Sequence, residues 1–189
     1  MGILDVILGG QNTQLISQLA QKSGIGEADV QNVINQLLPA VSKGIKANVG
    51  SSEGLGGLIS ALSSGDHQRY LDNPEKLSDP EAVDEGNAIL GHVFGNKDVS
   101  RNVANQAAQA SGVDSGIVKM LLPLVATTVM GALSKETANN PLLGNSGLDV
   151  NNLLGGDSSP VSSLITSFLD ADGDGDVTDD LLNMAKKFF

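Results

Sequence analysis

Residues 3–48 and 89–135 are near copies of one another, and both carry apolar residues at the spacing of a helix face. Ile3-Leu4-Asp5-Val6-Ile7-Leu8-Gly9 aligns with Ile89-Leu90-Gly91-His92-Val93-Phe94-Gly95. Ala20-Gln21-Lys22-Ser23-Gly24-Ile25 aligns with Ala108-Gln109-Ala110-Ser111-Gly112-Val113, and Leu37-Leu38-Pro39-Ala40-Val41 with Leu121-Leu122-Pro123-Leu124-Val125. The offset falls from 88 to 84 between the last two matches. Four extra residues in the first copy make about one helical turn, which leaves a buried face pointing the same way. Val30, Val33, Ile34, Leu37, Leu38, Val41 and Ile45 recur at i, i+3, i+4, i+7, as do Ile117, Leu121, Leu122, Val125 and Val129. No alternating run rich in β-branched residues competes with this pattern. Two copies are too few for a solenoid. The expected fold is therefore all-α and multihelical: two pseudo-repeated helical halves plus a C-terminal helix-loop-helix.

Punctuation refines the outline. Asn73-Pro74-Glu75, Asp79-Pro80-Glu81 and Ser159-Pro160 each set a capping side chain before a proline at a first helical position. Gly24 and Gly112 read as helix stops. Pro39 and Pro123 fall inside apolar helical stretches, where each should kink the helix or begin a new one. Gly50 to Gly57 and Asn139 to Pro160 read as flexible. The organisation expected is a repeat-containing domain over 1–140, a linker over 141–159, and an acidic helix-loop-helix over 160–189.

That last segment holds the densest chemistry. Asp170-Ala171-Asp172-Gly173-Asp174-Gly175-Asp176-Val177-Thr178-Asp179-Asp180 packs six carboxylates into eleven residues. Like charges at that density repel, so a cation is needed to hold them together. The spacing Asp-x-Asp-x-Asp-Gly is that of a calcium loop of EF-hand type, with side-chain oxygens at positions 1, 3 and 5, a turn at 6 and a backbone carbonyl at 7. These are Asp170, Asp172, Asp174, Gly175 and Asp176. An EF-hand closes with a bidentate Glu at position 12, where this chain has Leu181; dockerin modules, which the loop also resembles, use Asp there. Asp180 is the expected closing ligand, with Asp179 second. The flanks suit such a loop. Val161, Leu164, Ile165 and Phe168 share one helical face before it, and Leu181, Leu182, Ala185 and Phe189 supply apolar positions after it. A long flexible acidic loop favours calcium over magnesium, which demands a tight octahedron.

The remaining chemistry is thin. The net charge of −11 argues against nucleic-acid binding and against adsorption to anionic membranes. There are no cysteines, which removes disulfides and thiolate metal sites. The N-terminus lacks a basic region and a cleavage-like site, so no signal peptide is expected. The run from Ile117 to Leu133, broken by Lys119, Pro123 and two threonines, is expected to be a buried helix and not a membrane span. His67, in a polar stretch, reads as a surface residue. His92, beside Val93 and Phe94, is the candidate general base of a His/carboxylate hydrolase, but no nucleophile stands at a telling spacing. Arg69 and Arg101 read as isolated. The aliphatic helices around Met120 and Met130 offer a further alternative, a binder of an amphipathic peptide or ligand.

Taken together, Gly86-Asn87-Ala88-Ile89-Leu90-Gly91-His92-Val93-Phe94-Gly95, the Ala-Ser-Gly-Val at 110–113, Leu121-Leu122-Pro123, Gly54-Leu55-Gly56-Gly57-Leu58 and the Asp-Gly-Asp-Gly tail resemble the bacterial domain of unknown function 937, also called YidB-like. The resemblance covers nearly the whole chain. It implies an all-helical bacterial protein of the cytoplasm and supplies no activity, substrate or catalytic residue. It also implies that a loop one residue short of an EF-hand is ordinary in the family. The expected protein is thus a calcium-binding, non-catalytic scaffold or interaction module, with a protein partner or a second copy of itself as its ligand.

Overall fold

The computed structural model describes residue 7 and residues 13–49, 52–64 and 66–139. Among these, seven α-helices and one 3₁₀ helix account for nearly every residue, and no strand is present. The helices are α1 Thr13–Ser23, α2 Glu27–Val49, α3 Ser52–Ser64, α4 Arg69–Asp72, α5 Pro80–Phe94, α6 Lys97–Ser111 and α7 Ser115–Asn139. The 3₁₀ helix, Pro74–Ser78, joins α4 to α5.

The α2 stripe read from the sequence is the buried face. Val30, Val33, Ile34, Leu37, Leu38, Val41 and Ile45 are all buried, whereas Gln31, Asn32, Asn35 and Gln36 between them face solvent. That alternation is what an amphipathic surface helix requires. Helix α7 differs: every residue from Leu121 to Leu133 is buried. It touches all six other helices. A helix that is apolar all round is stable only when sheathed in this way. The 21-residue stretch Ser115–Lys135 does reach the length and apolarity of a membrane span, contrary to the expectation that it falls short. Of its most apolar window, 78% is buried inside the protein, as in the core helix of a soluble fold.

Two threonines inside α7 are accommodated by returning their hydroxyls to backbone carbonyls. Thr128 Oγ1 donates to Leu124 O at 2.8 Å, and Thr127 Oγ1 lies 3.0 Å from both Pro123 O and Ala82 O of α5. Back-bonding of this kind removes the cost of an unpaired buried hydroxyl.

The packing of α5 against α7 hinges on Gly86. A Cβ built there would stand 2.1 Å from Pro123 O, so the two backbones meet directly. At Gly44 of α2 it is side chains of α5 that come close: a Cβ there would lie 2.3 Å from Val93 Cγ1.

Local features recur at the matched positions of the two near copies. Gly24 and Gly112 end α1 and α6 with φ of +71° and +75°, and their N–H groups donate to Ala20 O and Ala108 O. Ser23 and Ser111 hydroxyls donate to Leu19 O and Ala107 O. The next helices begin at Glu27 and Ser115, an offset of 88, while their prolines are 84 apart.

Three expectations need correction. Helices α2 and α7 run on through Pro39 and Pro123, so of the two outcomes expected at each proline, a kink or a new helix, the new helix is excluded. The stretch expected to be flexible up to Gly57 is helical from Ser52, because burial of Leu58 outweighs the weak helix propensity of its glycines. Asn73-Pro74 opens a 3₁₀ helix, and neither Asn73 nor Asp79 makes a side-chain capping bond. Ser159-Pro160 lies outside the described residues.

Candidate functional site

The metal ligands expected from the sequence, Asp170, Asp172, Asp174, Asp176, Asp179 and Asp180, lie outside the described residues, as do the linker 141–159 and both flanks of the loop. Among the described residues no group of three or more His, Asp, Glu or Cys side chains is gathered for a metal ion.

Within the helical domain, polar side chains converge where α4 meets α5. His67 was expected at the surface and is instead 6% exposed. Its Nε2 lies 3.2 Å from Ala61 O, one of the carbonyls that the end of α3 leaves without a helical partner. Its Nδ1 stands 3.3 Å from Glu85 Oε2, off the angle of a hydrogen bond. Its backbone oxygen packs on α7, where a Cβ on Gly131 would come within 2.6 Å. Arg69, expected to be isolated, donates from Nη2 to Glu85 Oε1 and to the Tyr70 hydroxyl, and lies 3.7 Å from Glu81 Oε2. The guanidinium also stacks over the Tyr70 ring at 4.8 Å. One carboxylate, that of Glu85, thus faces both His67 and Arg69 and ties the 66–72 segment to α5.

Electrostatics follow from this geometry. Burial pushes the Tyr70 phenol up, against the opposite pull of the Arg69 hydrogen bond. That same hydrogen bond, with the charges of Glu85 and Glu81, raises the Arg69 guanidinium. Further along, Lys22 Nζ donates to Leu77 O at 2.7 Å, and burial pushes its ammonium down while Asp79 opposes the shift. Arg101, also read as isolated, pairs with Asp98 at 3.1 Å on the exposed side of α6.

His92 lies elsewhere, exposed on the rim of a pocket between α2, α3, α5 and α7. Ile45, Leu58, Ile89, Val93 and Met130 make the pocket walls, and Asn48 stands at the rim with His92. Asn48 Nδ2 lies 2.9 Å from the carbonyls of His92 and Val93 and 3.1 Å from Gly44 O, so one amide closes the C-terminal end of α5 onto α2. The volume is about 60 Å³. Metabolite sites run to several hundred, so this pocket takes one or two side chains or a few waters.

The family described as bacterial protein of unknown function (DUF937) matches residues 5–136. The chain belongs to that family. The DUF937 match takes in the helical domain through most of α7 and stops well before Asp170. No curated protein and no solved structure matches the chain.

In this DUF937 domain the polar cluster does the work of a fastening. A carboxylate on α5, between an arginine and a buried imidazole, holds the 66–72 segment on the core, and the imidazole completes the end of α3. One sign of it is legible in the chain: Tyr70-Leu71, apolar in bulk, sits in the middle of a polar stretch, with the single tyrosine next to Arg69.

Proposed function

We propose that this bacterial protein is a non-catalytic helical scaffold or interaction module carrying a calcium-binding helix-loop-helix at residues 160–189. The observation that carries the reading is the alternation Asp170, Asp172, Asp174, Gly175, Asp176 between two apolar-faced flanks, closed by Asp180 or Asp179. Bound calcium would cancel part of the mutual repulsion and hold the last two helices in a fixed relation. In the same reading, 3–48 and 89–135 form a pseudo-symmetric pair within 1–140, and 141–159 links that pair to the metal site. The setting is the cytoplasm, and the partner is another protein or a second copy of the chain.

Two observations in the helical domain support a binding role over catalysis. The pocket beside His92 is small and walled by aliphatic side chains. The His67 ring, the imidazole with a carboxylate beside it, is buried and spanned between Ala61 O and Glu85. A His/carboxylate hydrolase would need a polar substrate pocket with a carboxylate beside an accessible ring; exposed His92 borders aliphatic walls, and the ring with a carboxylate beside it, His67, is buried.

Calorimetric titration of the full chain with calcium chloride tests the proposal. One site is expected, lost in Asp172→Ala. Saturation at about 100 times Kd adds roughly 2.7 kcal/mol to whatever unit the ion holds folded, so the melting midpoint should also rise. Heats no larger than dilution, with identical melting in calcium and in chelator, would remove the metal site.

A further inference from the structure

We propose that the pocket between α2, α3, α5 and α7 receives the chain's own segment 161–168, with Phe168 as the side chain that enters it. The pocket has an aliphatic wall of Ile45, Leu58, Ile89, Val93 and Met130, and its volume of about 60 Å³ suits a side chain and not a metabolite. Met130 lines it, and from there α7 continues nine residues to Asn139, about 13 Å along the helix axis. Twenty residues, the number in 140–159, reach about 25 Å in a flexible Gly- and Ser-containing chain, a length that allows the next segment to return to the pocket. That segment carries Val161, Leu164, Ile165 and Phe168 at the spacing of one helical face, a stripe that needs an apolar partner. Elsewhere the described surface offers little: Val99, 42% exposed on α6, is the one large apolar side chain standing out among the described residues. The docking is apolar and does not depend on the ion, so it can stand or fall separately from the calcium reading.

The natural chain has no cysteine, so Ser167→Cys gives a single attachment point for a nitroxide next to Phe168 and off the apolar stripe. In ¹⁵N-labelled full-length protein, kept in EDTA, the nitroxide should erase the amide signals of Gly54, Leu58 and Met130 and spare those of Gln18 and Ala104. Adding Phe168→Ser to the labelled protein should restore the erased signals without disturbing the rest of the spectrum. Signals untouched at the pocket, or erased instead around Val99, would overturn the proposal. So would erasure that persists unchanged with Phe168→Ser, which would hand the pocket to the linker leucines Leu142 and Leu143. Erasure that appears when unlabelled-nitrogen spin-labelled chains are mixed with ¹⁵N chains lacking the label would assign the pocket to a second copy and equally end it.

Discussion

Gly86 and Gly91 sit five residues apart on α5, and the same substitution at each should move stability in opposite directions. At Gly91 an added methyl meets nothing within 4 Å, and the residue is solvent-exposed. Gly91→Ala therefore collects the helix-propensity difference alone, about 1 kcal/mol of stabilisation. At Gly86 the methyl would stand 2.1 Å from the Pro123 carbonyl oxygen and 2.5 Å from its carbon. The obstacle is backbone, so no rotamer change relieves it. Helix α5 must back away from α7 by about 1 Å, a gap that forfeits a quarter to a half of each dispersion contact it opens. Overpacking of this kind costs about 3 kcal/mol at the upper end of its usual range. The propensity gain offsets about 1 of that, leaving a net loss of about 2 kcal/mol. For a chain of this size the midpoint should rise about 2–4 °C in Gly91→Ala and fall about 4–8 °C in Gly86→Ala. Gly44→Ala should fall between them, because its nearest neighbours are the Val93 and Phe94 side chains, which can turn aside. Thermal unfolding followed by circular dichroism at the helical band reads all three. A Gly86→Ala protein as stable as Gly91→Ala would refute the direct backbone contact.

Two further outcomes follow from the polar groups. Burial raises the Tyr70 phenol, so the folded chain keeps this proton at pH values where the unfolded chain has lost it. The stability it contributes is intact below the ordinary phenol value near 10 and is lost as the pH climbs through the raised folded value. Tyr70 is the single tyrosine and there is no tryptophan, so tyrosinate absorbance near 295 nm reports it alone; ionisation at the free-phenol midpoint in folded protein would contradict the burial. At the other end of α5, Asn48→Ala should cost about 1–2 kcal/mol in urea unfolding, because it strips a donor from the carbonyls of His92 and Val93. Asn48→Asp should cost more than the alanine, since it turns acceptor oxygens toward those carbonyls; an aspartate variant as stable as the parent would exclude the clamp.

Much of the helical domain could be read from the chain because its signals are local. The α2 stripe from Val30 to Ile45 is a matter of spacing, and each member is buried. Gly24 and Gly112 stop helices because a left-handed residue is needed there, and glycine adopts it without strain. What escaped depends on distant partners. His67 and Arg69 looked solvated because Glu85, which faces both, is 16 or more residues away in sequence. Gly54, Gly56 and Gly57 looked like a flexible run because propensity cannot register that Leu58 is pulled into the core. Gly86 entered only as the first residue of a family-like run: a glycine inside a helix reads as a weakness, whereas here its missing side chain admits another helix. The acidic loop was the plainest chemical motif in the sequence, and its residues lie outside those the structure describes.

The sheathing of α7 has a consequence for biosynthesis. As it leaves the ribosome this segment has the length and apolarity of a membrane span, and in the fold six other helices cover it. All six precede it in the chain, so every helix that covers α7 has been synthesised before α7 emerges. The order of the elements therefore lets the apolar stretch be covered as soon as it appears, which shortens the time it spends exposed to water or to a lipid-directed receptor.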